Sequence, residues 1–229
     1  MADDRHSHAD DAQLLSDPDE IARREAENGL RQFNLALEMV RLSVKDKERP
    51  FRLRAGPILQ LHKAALDGLH RLAGTFRNTP VKIGGSQHQP PHEAFVADEI
   101  QSMCEYVNSN WETKSATHLA AYVLWKMNWI HPFADGNGRT ARAISYVVLS
   151  TKLDGLLPGT PTIPEQIAAG KQPYYNGLEL ADKAWTATEK VDVSALEGML
   201  NNMLAAQLLS ATKEAAGQNA AASASPAFH

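Results

Sequence analysis

Between His131 and Arg142 the chain reads His-Pro-Phe-Ala-Asp-Gly-Asn-Gly-Arg-Thr-Ala-Arg, and most of the chemistry it can offer is concentrated there. His131 is the one group in this segment able to accept a proton near neutral pH. Pro132 cannot continue a helix and biases His131 away from helical φ/ψ. Gly136, Asn137 and Gly138 can turn with their backbone N–H groups directed into one concavity. A glycine-rich turn feeding a helix N-terminus binds anions, because unpaired amides and the positive end of the helix dipole meet there. Arg139 and Arg142 lie three apart on the first turn of that helix, so they share a face and can grip neighbouring phosphate oxygens. Asp135, a carboxylate beside such a cradle, is the natural Mg²⁺ ligand, since Mg²⁺ takes one or two carboxylates plus phosphate oxygens. A base, a metal carboxylate and an anion cradle on one helix–loop–helix are the equipment of phosphoryl-type transfer.

Such a loop needs a rigid body, and the sequence around it is helical. Ser16 or Asp17 can cap a first helix with Pro18 and Glu20 in its opening turn. Leu30, Phe33, Leu37, Val40 and Val44 then recur at steps of three and four and predict its buried face. A second helix opens at Gly56-Pro57, with Ile58, Leu61, Ala65, Leu69 and Leu72 on one side and Gly74 just past its end. Further helices are expected near 92–108, 114–129, 137–152, 173–185 and 191–209. The stretch from Pro158 to Pro164 reads as a Pro- and Gly-rich connection. Val81-Lys82-Ile83 followed by Gly84-Gly85 and Ser86 predicts a short β-hairpin, closed by Pro90-Pro91, because paired glycines supply the positive φ of a two-residue turn. A lone hairpin is marginal by itself, so on a helical body it is a tool. The expected fold is all-α, a helical bundle with one hairpin flap. Residues 1–18 and the Ala- and Ser-rich residues 211–229 read as flexible tails around a single domain over 19–210.

Composition removes several classes of function. There are 23 basic against 27 acidic side chains, a net charge of −4, which argues against a nucleic-acid binder. Cys104 is the only cysteine, so neither an internal disulfide nor a thiolate metal site is possible. No run of 18 apolar residues predicts a membrane span, and the acidic N-terminus has no apolar h-region; a cytoplasmic location is expected. His62, His70 and His118 sit in helical stretches and read as structural histidines. Phe133 reads as the packing residue that anchors the loop, and the four tryptophans as core or rim. The Leu- and Met-rich residues 196–209 suit a core or an oligomer contact equally.

The segment His131–Arg142 resembles the signature of the Fic family, His-x-Phe-x-Asp/Glu-Gly-Asn-Gly-Arg-x-x-Arg, at every position. The wider resemblance covers about residues 20–210. It implies AMPylation: His131 deprotonates a Ser, Thr or Tyr hydroxyl of a target protein, and that oxygen attacks the α-phosphorus of ATP and releases pyrophosphate. In this reading Asp135 holds Mg²⁺, while Gly136, Asn137, Gly138, Arg139 and Arg142 bind the phosphates. Tyr174, Tyr175 and Asp182 stand where the family contacts the nucleotide. The flap Val81–Ser86 would bind the target as an added strand, and the protein itself is one available target. Many relatives carry an inhibitory Ser/Thr-x-x-x-Glu-Gly/Asn helix whose Glu pairs with the second arginine of the signature. Glu27-Asn28 fits its end, with Arg23 in place of Ser or Thr, so Glu27 is the expected inhibitory residue. Ser16 and Glu20 have the same spacing but are followed by Ile21. Three other uses of such a site stay open: a de-AMPylating hydrolase, a toxin restrained by a separate antitoxin, and a non-catalytic nucleotide-binding domain.

Overall fold

Asp17 starts the first helix by accepting the Glu20 N–H at 2.8 Å, with Pro18 in the first turn, where its missing N–H costs nothing. In the computed structural model of the chain, which describes residues 13–223, eight α-helices follow in order. They are α1 (Pro18–Lys45), α2 (Ala55–Leu66), α3 (Val96–Ser109), α4 (Ala116–Ile130), α5 (Asn137–Lys152), α6 (Ile163–Ala169), α7 (Lys171–Thr188) and α8 (Ser194–Ser223). A 3-10 turn, Glu93–Phe95, precedes α3. No strand occurs among the described residues. No helix among them is long and apolar enough to cross a membrane.

The body is organised around α4, which is buried almost all round: Leu119, Ala120, Ala121, Val123, Leu124 and Met127 are fully inaccessible. A helix apolar on every side belongs at the centre of a bundle. Its most extensive neighbour is α5; α1 and α2 cover α5, while α3, α7 and α8 cover α4. The His131–Arg142 segment is the loop between α4 and α5 together with the start of α5, so the candidate chemistry is fixed at both ends to the two most deeply packed helices.

Several expectations need correction. On the expected face of α1 Val40 is buried and Phe33, Leu37 and Val44 pack against the core, but Leu30 is 64% exposed, and Asn28, Gln32 and Ala36 complete the buried stripe. Asn28 and Gln32 are admitted because their amides donate to Asp67 O at 2.8 Å and Leu61 O at 3.1 Å. Helix α2 stops at Leu66, earlier than its apolar pattern implied, and the chain turns through Gly68 at φ +71° to Gly74 at φ +81°. The Val81–Ser86 hairpin forms only its turn: Ser86 N–H reaches Ile83 O at 3.3 Å and Gly85 has φ +65°. Pro80, Pro90 and Pro91 in its flanks have no N–H to give a ladder, and Val81 and Ile83 are buried against the helical body instead. The Pro158–Pro164 stretch leads into α6, whose start is a Thr162/Glu165 capping pair with the Thr162 N–H and hydroxyl both on Glu165 Oε2.

Toward the termini, Gln13 bridges to His70, and the Leu14 N–H donates to Leu69 O at 2.9 Å, so residues 13–17 are tied to the body. Residues 1–12 and 224–229 of the expected tails lie outside the described residues. Helix α8 continues to Ser223 through the Ala-rich segment expected to fray, in keeping with the high helix propensity of alanine.

Lys126 of α4 shows how this core tolerates a charge. Its ammonium is 3.0 Å from Glu99 and 3.6 Å from the centre of the Trp129 ring, and burial pushes its pKa down. Glu99→Ala leaves that cation in its aromatic surroundings without a counter-ion and is expected to cost about 1–3 kcal/mol. Lys126→Met removes the buried charge, retains most of the packing, and should cost less. Paired thermal melts of the two variants check the order.

Candidate active site

Helix α4 ends at Ile130, and its C-cap is His131 in the left-handed region, φ 49° and ψ 59°. A non-glycine residue is held there at a cost of about 1–3 kcal/mol, so something must hold it. Arg77 does. Its Nε donates to His131 O at 2.8 Å, one terminal nitrogen reaches Ile130 O at 3.4 Å, and its own N–H donates to Pro132 O at 2.9 Å. The same guanidinium donates to Thr79 O at 3.2 Å and Pro91 O at 2.5 Å, at the two ends of the flap. This side chain is almost wholly buried, and Glu93 at 3.8 Å is its counter-ion.

The imidazole of His131 is oriented from below. Its Nδ1 lies 3.3 Å from Asn128 O, which can only accept, so Nδ1 carries the proton and Nε2 keeps its lone pair. Nε2 is buried and has no hydrogen-bond partner among the described residues. Burial pushes the His131 pKa down to about 4; the Asn128 hydrogen bond opposes the shift, and nearby Arg77 and His88 add to it. The ring is therefore neutral at pH 7, with its accepting nitrogen unused.

The loop beyond is pinned by packing. Phe133 is fully buried and stacks on His62 with ring centres 3.6 Å apart and 4° between planes. His62 Nδ1 accepts the Gly74 N–H at 2.9 Å, which fixes Nε2 as the donor to Asp135 O at 3.0 Å. The buried Asn137 side chain closes on the main chain of Phe133, accepting from its N–H at 2.9 Å and donating to its O at 2.8 Å. Gly136 sits at φ +73°, and a Cβ there would meet Leu66 Cδ1 at 3.1 Å. Only glycine takes that conformation and that space together. Helix α5 begins at Asn137, and a helix leaves its first amides without intrahelical acceptors.

Charge is arranged around the loop. The Asp135 carboxylate is 3.4 Å from Arg139, which also pairs with Glu25 of α1 at 3.0 Å. Glu27, the expected inhibitory residue, points elsewhere: it pairs with Arg23 at 3.0 Å and Arg24 at 3.7 Å and reaches neither Arg139 nor Arg142. One helical turn holds all of these partners, so a shift of two residues decides which glutamate faces α5.

A narrow cleft runs from His131 under the flap. It is lined by Asn128, Trp129, His131, Leu178 and Asp182 from the helices and by Ile83, Ser86 and His88 from the flap. His88 Nε2 donates to Trp129 O at 2.7 Å and holds the flap against α4. Asp182 is fixed by the Trp125 indole N–H at 2.8 Å. Of the flap residues, Lys82 and Gly85 are exposed and Gly84 is half-buried. The two tyrosines expected at the nucleotide do not line this cleft. Tyr174 is buried, its hydroxyl accepting from Asn128 at 2.7 Å, and Tyr175 packs beside it with ring centres 5.5 Å apart. Tyr174 thus braces the residue that orients His131.

Residues 52–149 match the Fic/DOC family. This chain carries a Fic domain. Over 162 residues it is 32% identical to the protein adenylyltransferase Fic of Drosophila persimilis, a match covering 68% of this chain and 29% of that protein. The chain thus spans less than a third of the length of the curated relatives it matches. A Fic domain containing signalling protein of Bacteroides thetaiotaomicron superposes with a TM-score of 0.66 at 22% identity, over 83% of this chain and 73% of that one. The BepC protein of Bartonella tribocorum, solved with bound AMPPNP, gives 0.54 at 13% identity over 82% and 88%. At those identities the structures establish a shared fold.

Within this Fic domain, several residues that sequence reasoning passed over support the loop. His62 read as a structural histidine, and it is one, but what it supports is the site. Arg77, His88 and Glu25 carried no local signal, since each acts on a segment distant in sequence or on a neighbouring helix, and Asn128 orients His131 through its main-chain carbonyl, a group every residue has. Two expected outcomes follow. Free histidines titrate near 6.5 whereas His62 and His131 in the fold titrate near 4. Between those values the unfolded state binds more protons, so stability is retained above about pH 6.5 and declines as pH falls toward 4. Denaturant melts across that range should show the decline, and His62→Phe should reduce it. Arg77→Ala should lower the melting temperature by several degrees, corresponding to about 2–4 kcal/mol, because four carbonyls, two of them buried, lose their donor.

Proposed function

We propose that this Fic domain transfers AMP from MgATP to a hydroxyl of a protein. The observation that carries the reading is the state of His131: a neutral imidazole with Nδ1 committed to Asn128 and a buried, unpartnered Nε2 at the cleft under the flap. A general base must be neutral, oriented and free to accept, and a residue with a purely structural role would have both nitrogens satisfied.

In the reaction, Nε2 of His131 takes the proton of the target hydroxyl. The oxygen forms a bond to the α-phosphorus, the bond from that phosphorus to the bridging oxygen of the β-phosphate breaks, and pyrophosphate leaves. The amides at the start of α5, with Gly136 and Gly138 keeping side chains out of the approach, would bind the phosphate oxygens. Arg139 and Arg142 would balance the charge of the leaving group. A Cβ at position 138 would come within 3.3 Å of Arg142, so glycine there leaves that guanidinium its place. Asp182 and the helical wall of the cleft would receive the nucleoside, with Tyr174 acting through Asn128 and Tyr175 packed behind. The flap, with Val81 and Ile83 seated on the body and Lys82 and Gly85 exposed, would receive an extended target segment by main-chain pairing.

Asp135 suits Mg²⁺. It offers a hard carboxylate, partly exposed, whose ion-pair partner is Arg139. Among the described residues no group of three or more His, Cys, Asp or Glu forms a protein cage, which fits a cation that takes its remaining ligands from phosphates and water. When bound, the ion would neutralise charge on the phosphates. The contact between Glu25 and Arg139 supports a restrained state: the carboxylate sits on a guanidinium that the phosphates need, and Glu25 replaces Glu27 as the inhibitory residue.

Intact mass of the protein after incubation with Mg²⁺ and ATP tests both points. An added AMP that is lost in His131→Ala is the expected result, with Glu25→Gln raising the modified fraction several-fold and Glu27→Gln leaving it unchanged. With an added protein substrate as acceptor as well, no AMP transfer from any variant would overturn the reading. Equal labelling by Glu25→Gln and the wild type would overturn the restraint.

A further inference from the structure

A second cavity of about 450 Å³ opens between α1, α5 and α6 and shares no lining residue with the cleft at His131. Its walls are apolar: Leu30, Phe33, Ala36, Ala143, Tyr146 and Pro164 face into it. Leu30, the strongly exposed leucine of α1, stands at its edge. Gly29 borders the space, and nothing lies within 4 Å of where its Cβ would be. The polar groups of the lining are mostly committed. The Gln32 amide donates to Leu61 O, and the Glu165 carboxylate caps α6. Arg139 is held by Glu25 and Asp135. Arg142, half-buried, also lines the space and has no ion-pair partner among the described residues, so a largely apolar chamber of ligand size carries one cation without a counter-ion.

We propose that this cavity is a second binding site, which takes an amphiphilic anion with a single alkyl chain, a carboxylate of about eight to twelve carbons. The carboxylate meets the Arg142 guanidinium and the chain lies against Leu30, Phe33 and Tyr146. An inorganic anion would leave those walls wet, and a neutral hydrocarbon would bury Arg142 without a partner, so both parts of the ligand are needed. Because Arg142 is also assigned to the leaving phosphates, an occupant competes with the triphosphate. That consequence rests on the adenylyl-transfer reading; the site itself does not.

The experiment is calorimetric titration of the full chain with hexanoate, octanoate and decanoate below micelle concentration, without nucleotide. Saturable one-to-one binding is expected, tightening up to about four-fold for each methylene that becomes buried. Decanol should bind at least about ten-fold more weakly than decanoate. Gly29→Met, which fills the cavity from α1 and raises helix propensity, should melt no lower than the wild type and weaken decanoate about ten-fold or more. Absence of saturable binding, equal affinity for decanol, or unchanged affinity in a folded Gly29→Met overturns the site. A final titration of ATP in the presence of decanoate reads competition: a weakened apparent ATP affinity supports it, and an unchanged one overturns the competition while leaving the site standing. Since the first titrations contain no nucleotide, a failure of AMP transfer would not be mistaken for a failure of this site.

Discussion

The buried guanidinium of Arg77 is the interaction on which the site depends. A charge almost without solvent contact is costly unless every donor is used, and here its nitrogens are spent on the carbonyls of Thr79, Pro91, Ile130 and His131, with Glu93 nearby. Those carbonyls belong to three different pieces of chain: the two ends of the flap and the last turn of α4. The orphan carbonyls that any helix leaves at its C-terminus become the means of fixing the flap beside His131. The left-handed backbone of His131 is held by the same contacts, so His131 and the flap are set relative to each other by one side chain.

The rest of the loop is fixed by packing beneath it. Phe133 is a fully buried aromatic at the centre of the loop, sandwiched against His62, while Asn137 ties both main-chain groups of Phe133. The consequence is a loop whose backbone is fixed by its own side chains, which under the proposed function lets the amides at the start of α5 meet an anion without reorganising. The two histidines work in opposite senses. His62 uses both nitrogens and is locked, whereas His131 uses one and holds the other in reserve, although burial lowers the pKa of each to about 4.

Charge neutralisation around the loop is divided between elements. Asp135 and Arg139 come from the signature itself, and Glu25 comes from α1, which also walls the second cavity with Gly29, Leu30 and Phe33. Helix α1 thus meets Arg139 through a carboxylate and, further along, shares the lining of the second cavity with Arg139 and Arg142.

What the sequence determined by itself is considerable. The helix count was close, because long amphipathic or fully apolar stretches punctuated by Pro, Gly and capping residues leave few alternatives. The Asp17 cap and the start of α5 after Gly136 are local events and were legible as such. So were Phe133 as an anchor and the grouping of His131, Asp135, Arg139 and Arg142, since twelve adjacent residues on a short loop and the start of the next helix cannot be far apart. Tertiary structure decided the rest. The flap kept its turn but formed no ladder, because prolines removed donors and burial of Val81 and Ile83 offered a better use for the segment. Tyr174 went to the core because its hydroxyl had Asn128 to meet. Glu25 rather than Glu27 faced Arg139, a matter of helix rotation against α5 that spacing alone does not set. Arg77 and His62 act across 54 and 73 positions of sequence, and no local pattern encodes such a contact: it exists only once the helices that carry both partners have packed.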